Sequence, residues 1–325
     1  MASTSLIKVS GQEVRTLRIV NGEVNKSNDW RRIVATFVAT EDVKESSRDL
    51  YNRTLAIFFK WIEDTGRILS EMDREDIVEY KAYLLNDKKL SALTIGSYIV
   101  AVRKFYEWAE AYKLYPNIAK GIKTPRRKQA FKKQHLTDDK STELLEHFQD
   151  ISKRDFAIVN LILRTGLRTI EVIRADIGDI TFKGNRRVLM VWGKGHTEKD
   201  DFVVLSDKAW QPIADYLQTR KGALSGEPLF VSNSKRNNGE RLTTRTISGI
   251  CKEGLKAIGM DGKEFTAHSL RHTTAVAILK HGGNITDVQE VLRHSSPVTS
   301  QIYTESVKEE LRLQNAPELT LDGAF

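Results

Sequence analysis

Between His268 and Tyr303 the chain reads HSLRHTTAVAILKHGGNITDVQEVLRHSSPVTSQIY, with His268 and Arg271 three apart and His294 nine residues before Tyr303. On a helix, positions i and i+3 share a face, so His268 and Arg271 can point at one small ligand. Cations gathered at one point suit a phosphate, because phosphoryl transfer needs the charge on the non-bridging oxygens held by donors already in place. Arginine serves better than lysine, since its planar fork gives two parallel hydrogen bonds and stays charged at any relevant pH. A second such arginine is Arg168 in TGLRTIE, just after Gly166 at a helix start, where unpaired backbone N–H groups also favour anions. Taken alone, an arginine there is ordinarily just solvated. Tyr303 can supply a nucleophile: a phenolic oxygen attacking a phosphodiester stores the bond energy as an ester instead of losing it to water. Taken alone, such a tyrosine is ordinarily a buried ring with its hydroxyl satisfied. The departing oxygen needs a proton, and Lys194, in WGKG at a hairpin tip, is a mobile donor.

A metal reading competes, because His268 and His272 are i, i+4 as in helical zinc sites. The glutamate of H-E-x-x-H is missing and no third ligand suggests itself. No metal is therefore expected, and His272 reads as a hydrogen-bonding group behind the site or as a core histidine.

The elements that must position these residues follow from periodicity. RDLYNRTLAIFFKWIED places Leu50, Leu55, Phe58, Phe59 and Ile62 on one stripe, and REDIVEYKAYLLND and TIGSYIVAVRKFYEWAEAYKLY read the same way, with Asp73 and Ser91 as N-caps. Residues 46–116 thus form a helical bundle, with Trp61, Tyr106 and Trp108 as core aromatics. The first 25 or so residues read as an arm, and NGEVNKSND as turn material. After Thr137, a cap, come helices at RDFAIVNLILRTG and RTIEVIRADI, then RRVLMVWGKG and DDFVVL as the arms of a hairpin. Helices return after Ser206 and after Thr243 or Thr244, stop at Gly259 and at Gly282–Gly283, and resume at TDVQEVLRH, where Thr286 and Gln289 fit a capping box.

Composition bounds the rest. A chain of 325 residues suits two domains, each with its own core. Hydrophobic content is 40%, no apolar run approaches the roughly 18 residues that a bilayer demands, and the first residues do not read as a charged-then-apolar leader; a cytoplasmic protein with no membrane partner is expected. The single cysteine, Cys251, excludes an internal disulfide or a multi-cysteine zinc site and reads as a small core residue. Net charge is +8, which favours acidic partners. It is concentrated in KGIKTPRRKQAFKKQ, where Lys120, Lys123, Arg126, Arg127, Lys128, Lys132 and Lys133 occur without an acidic residue and a proline blocks helix continuation. This stretch is either a solvated hinge or a strap along a phosphate backbone, each contact releasing counterions; the strap is preferred.

Arg168, Lys194, His268, Arg271, His294 and Tyr303 stand in the order and spacing of the tyrosine recombinases, or phage integrase family, and TGLRTIE, GKG, HSLRH and LRHSS match over residues 135–305. The chain resembles that family over almost its whole length. The resemblance implies a fold that is mainly α with a small β-hairpin or sheet: an N-terminal helical core-binding domain of SAM-like type and a mixed α+β catalytic domain. The expected division is an arm at 1–30, the core-binding domain at 31–118, a basic linker at 119–134, the catalytic domain at 135–303, and a tail at 304–325 open to exchange between protomers. It further implies a clamp on double-stranded DNA and attack by Tyr303 on the scissile phosphate, leaving a 3′-phosphotyrosine and a free 5′-hydroxyl. Strand exchange would run through a Holliday junction in a homo-tetramer, with no cofactor, and with an accessory DNA-bending or directionality factor among the partners. In family terms Arg168 and Arg271 hold the non-bridging oxygens, Lys194 protonates the 5′-oxygen, His268 is acid and base toward the tyrosine, His294 hydrogen-bonds the phosphate, and Glu171 supports the site from behind. With fewer than 45 residues before the bundle, the chain is closer to Xer-type or mobile-element enzymes than to long integrases. The rivals are a type IB topoisomerase and an idle DNA-binding regulator. Two departures stand out. Arg293 occupies a position where relatives usually have glycine, and either adds a cation beside the site or faces DNA or solvent. HTEKDD replaces the usual Lys-x-Arg after GKG, which leaves the contacts of the far hairpin arm open.

Overall fold

The computed structural model describes residues 8–9, 12–13, 29–125, 134–192, 198–294, 303, 307–308, 312 and 316–323. The chain divides into two compact units, Met1–Gln129 and Ala130–Phe325.

In the first unit four helices, α1 (Asp29–Thr40), α2 (Glu45–Asp64), α3 (Arg74–Asn86) and α4 (Ala92–Ala111), follow a two-residue antiparallel pairing of β1 (Lys8–Val9) with β2 (Gln12–Glu13). Sequence reading began the bundle at Ser46 and so missed α1. Its Ile33, Val34, Phe37 and Val38 have the helical spacing and are all buried. Asp73 and Ser91 cap α3 and α4 as expected, accepting from Asp76 N and Thr94 N, both at 3.2 Å. The core is aromatic: Phe58 packs edge-on against Tyr80 at 4.9 Å and Phe59 against Phe105 at 5.4 Å, the offset geometry that ring quadrupoles favour. Trp61, Tyr106 and Trp108 are buried among them.

The second unit wraps helices around one core, with a small sheet. Its helices are α5 (Asp138–Gln149), α6 (Lys153–Thr165), α7 (Thr169–Arg174), α8 (Asp207–Leu217), α9 (Thr244–Ala257), α10 (Ala267–Lys280) and α11 (Ile285–Leu292); its strands are β3 (Ile180–Lys183), β4 (Arg186–Val191) and β5 (Asp201–Val204), in that order and antiparallel. The β4–β5 pair is the hairpin read from sequence, with Val191 opposite Asp201. Its tip, residues 193–197, lies outside the described residues. Strand β3 was not foreseen: it is short and largely exposed, so no alternation marked it, and only the Gly184–Asn185 turn announced it.

Thr137 and Thr243 cap α5 and α9, whereas Ser206 takes the cap position of α8 without a side-chain hydrogen bond. The expected α7 stops at Arg174, and Asp176 bridges to Pro228 instead of continuing the helix. The capping box of α11 also needs correction: Asn284 and Asp287 form it, not Thr286 and Gln289. Asn284 Oδ1 accepts from Thr286 N at 2.7 Å and Asp287 N at 3.2 Å, while Asp287 Oδ2 accepts from Asn284 N at 2.7 Å. A helix can begin only where its first N–H groups find acceptors, and Asn284 offers them two residues earlier. Cys251 is fully buried on α9, and burial pushes its thiol up to about 12. Among the described residues no helix is long and apolar enough to cross a membrane.

Helix α10 is the hub. It buries residues on every side, including Ser269, Arg271, His272, Thr273 and Thr274. Such polar groups are tolerated in a core only when hydrogen-bonded, and here the bonds tie the unit together. Thr273 Oγ1 accepts from Leu136 N at 2.9 Å, and Thr274 Oγ1 donates to Leu163 O on α6 at 2.9 Å.

Candidate active site

The site is assembled from the ends of α6, α10 and α11. Helix α6 terminates at Gly166, which adopts a left-handed conformation with φ +62°. Glycine is required twice over: the left-handed region strains other residues, and a Cβ here would collide with Leu292 Cδ2. The turn places Arg168 at the start of α7, where Glu171 reaches back to hold it. Glu171 Oε2 accepts from Arg168 N at 2.7 Å, and its Oε1 accepts from Arg168 Nη1 at 2.9 Å.

Arg271 projects from α10 into the same place and is 2% exposed. Its Nη1 donates to Gly166 O and its Nη2 to Leu292 O, so one guanidinium ties the α6 turn to the end of α11. Its charge also acts on the Tyr303 phenol, favouring the ionised form against the effect of burial. Burial, with Arg168 nearby, lowers the Arg271 pKa to about 10, which leaves it charged at neutral pH.

Helix α11 ends in a Schellman motif: His294 N donates to Gln289 O and Arg293 N to Glu290 O, both at 3.0 Å. The left-handed residue of that motif is Arg293, with φ 52° and ψ 52°. This reversal turns His294 inward, where its ring lies parallel to that of Tyr303 at 5.9 Å. His294 is 9% exposed and Tyr303 4%. Burial, aided by Arg271 and Arg168, lowers His294 to about 4, so it is a neutral imidazole at pH 7. Burial raises the Tyr303 phenol and outweighs the opposing pull of Arg271 and Arg168. The resting tyrosine is protonated, and a nucleophilic role requires that proton to leave.

On the other side of Tyr303 lies His272, ring to ring at 4.8 Å, and beyond it His135 at 5.5 Å. Burial, with His135 next, lowers His272 to about 3. His268 is exposed in the first turn of α10, close enough to His294 and His272 for its charge to act on both. Arg168, Arg271, His294 and Tyr303 thus lie close enough to act on one another, with His268 near His294 and His272 against the tyrosine ring.

The remaining sequence candidates fall elsewhere. Lys194 lies in the hairpin tip, outside the described residues, as do Arg126, Arg127, Lys128, Lys132 and Lys133. Lys120 and Lys123 are exposed, and their carbonyls accept from Arg74 Nη1 at 2.5 Å and Lys81 Nζ at 2.9 Å. In HTEKDD, Lys199 pairs with Asp176 at 2.7 Å and Asp179 at 2.5 Å, so this arm anchors itself on the unit's own acidic turn. Arg293 does not face DNA or solvent: it is 8% exposed and its Nη2 meets Glu171 Oε2 at 2.8 Å. No periodicity could have shown this, because the backbone that folds Arg293 inward is a left-handed turn. His135, three residues before the α5 helix, was likewise missed for want of a partner in sequence.

Comparison with known proteins fits this geometry. The phage integrase family model matches residues 134–310, and the model of the phage integrase N-terminal SAM-like domain matches residues 30–114. A tyrosine recombinase XerC of Pelobacter propionicus is 30% identical over 272 residues, covering 80% of this chain and 87% of the relative. A tyrosine recombinase XerD of Listeria innocua is 29% identical over 293 residues, covering 87% and 93%. The fold resembles that of a XerH site-specific recombinase bound to a palindromic difH substrate, with TM-score 0.69, 20% identity, and coverage of 88% of this chain and 84% of that one. With both domain models matched in order and the first spanning over half its length, the chain belongs to the phage integrase family of tyrosine recombinases.

Proposed function

We propose that the chain is a site-specific DNA recombinase that cuts and rejoins duplex DNA through Tyr303. The Tyr303 hydroxyl oxygen attacks the scissile phosphorus, the bond from phosphorus to the 5′-oxygen breaks, and a 3′-phosphotyrosine with a free 5′-hydroxyl results. The phenolic proton leaves toward His268, and Lys194 protonates the departing oxygen. Arg168 and Arg271 hold the non-bridging oxygens, with the neutral His294 donating a hydrogen bond beside them. The reverse attack by the 5′-hydroxyl of a partner strand completes exchange through a Holliday junction in a tetramer. The helical unit and the basic stretch from Lys120 to Lys133 add phosphate contacts, which makes affinity salt-dependent. Val307 packs in the same cluster as Tyr303, so exchange of the tail between protomers would involve residues beyond it.

The observation that carries this reading is the gathering of Arg168 and a buried, charged Arg271 close enough to act on the Tyr303 phenol, with His294 stacked on the same ring. A nicked duplex that lets the cleaved end diffuse away tests it. The wild-type chain should accumulate a covalent DNA adduct that Tyr303→Phe does not form. Equal adduct in both, or none in the wild type, would refute it. Exchange between two sites on one plasmid then separates a recombinase from a topoisomerase, which relaxes the plasmid without exchanging them.

A further inference from the structure

Arg293 is an expensive residue where it stands. A side chain in the left-handed region costs roughly 1 kcal/mol relative to glycine, and the Schellman position it fills is normally glycine's. Only three non-glycine residues among those described have positive φ, and the other two, Lys89 and Lys113, sit in surface turns. Strain kept at one point beside a functional pocket asks for a function. The side chain shows what it does. Its Nη1 donates to Val291 O at 2.9 Å, which fixes the fork, and its Nη2 donates to Glu171 Oε2 at 2.8 Å. Its Nε lies 3.9 Å from Asp201 Oδ2, at the base of the hairpin that carries Lys194.

Glu171 is therefore shared: Oε2 serves Arg293 and the Arg168 backbone, while Oε1 serves Arg168 Nη1. Two consequences follow. A buried carboxylate next to an anion pocket repels a phosphate in a low-dielectric setting, and Arg293 offsets that charge. A carboxylate left to Arg168 alone would draw its whole fork inward as a bidentate pair, away from the pocket. With Oε2 occupied, Arg168 is steadied through one nitrogen while its side chain stays 33% exposed.

We propose that Arg293 is a positioning residue: by taking one oxygen of Glu171, it keeps Arg168 directed at the DNA phosphate and cancels the carboxylate's repulsion of that phosphate. The inference rests on the cleavage reading above.

A double-mutant cycle tests it, using the full chain and the nicked duplex. Arg293→Gly relieves about 1 kcal/mol of left-handed strain but leaves the buried Glu171 with one partner fewer, so its melting temperature should fall, and the rates are compared at a temperature where both proteins stay folded. In the Glu171 background the substitution should lower the first-order cleavage rate at saturating protein on the order of 10- to 100-fold, with DNA affinity changed less than about 3-fold. In a Glu171→Gln background the same substitution should change the rate less than about 3-fold, because the carboxylate through which it acts is gone. Equal losses in both backgrounds, or no loss in the first, would overturn the proposal. A wild-type chain that forms no adduct overturns the cleavage reading and this inference with it. An adduct in the wild type with an unchanged rate in Arg293→Gly overturns this inference alone.

Discussion

Two arginines are assigned to the same phosphate, yet only one of them also holds the fold together, and the difference can be measured. Arg271 donates to two backbone carbonyls, Gly166 O and Leu292 O, from a side chain 2% exposed. A hydrogen bond to a charged group contributes about 1.5–3 kcal/mol, and a buried carbonyl left unpaired costs about 1–3 kcal/mol. Lysine at 271 keeps the charge but cannot span both carbonyls with one ammonium. Arg271→Lys should therefore destabilise the second unit by about 2–3 kcal/mol. At roughly 2–4 °C per kcal/mol for a unit of this size, the melting temperature should fall by about 4–12 °C. Arg168 presents the opposite case, since its side chain is 33% exposed and pairs with Glu171, which keeps Arg293 as a partner. Half-exposed pairs of this kind contribute about 1 kcal/mol or less, so Arg168→Lys should melt within about 3 °C of the wild type. Both variants should nevertheless lose cleavage by about 100-fold or more, because each removes a bidentate fork from the phosphate. Differential scanning calorimetry and single-turnover cleavage, run on both proteins, give the comparison. If the two variants melt alike, the staple assigned to Arg271 is wrong.

Two further outcomes follow from the same geometry. His272 and His294 have folded pKa values of about 3 and about 4, below the ordinary histidine value of 6.5, so the fold favours the neutral rings. That stabilisation is complete above about pH 6.5 and is lost as pH falls toward those values. Urea unfolding should show a loss of about 2–4 kcal/mol between pH 7 and pH 5, reduced in His294→Gln, and a flat profile would contradict the buried neutral pair. Gly166→Ala should cost about 2–5 kcal/mol, from left-handed strain and the collision with Leu292, and should slow cleavage because Gly166 O and Leu292 O both hold Arg271; thermal melting and adduct formation check it.

Arg168, His268, Arg271, His294 and Tyr303 stand out in the sequence by residue type and spacing, and the fold brings them near one another. Caps were legible where a single Ser or Asp preceded an apolar stripe, as at Asp73 and Ser91, while at the start of α9 the choice between Thr243 and Thr244 falls to Thr243, which accepts from Thr246 N. They failed at α11, where several polar residues competed and only Asn284 could reach the first N–H groups. Helix α10 shows a deeper limit. HSLRHTT looks half-solvated, yet from Ser269 to Thr274 it is buried, because Leu136 N, Leu163 O, Gly166 O and Leu292 O meet its polar groups from distant parts of the chain. Arg293 escaped for the same reason: its partner, Glu171, lies 122 residues away.

The central claim is that Tyr303 Oη becomes bonded to a DNA phosphorus. Trapping the adduct on a nicked duplex, trimming the DNA with nuclease, and sequencing the protein by mass spectrometry tests this most directly. The account predicts a nucleotide 3′-phosphate on the peptide containing Tyr303, at that residue. An adduct on any other side chain, or a linkage through a 5′-phosphate, would contradict it.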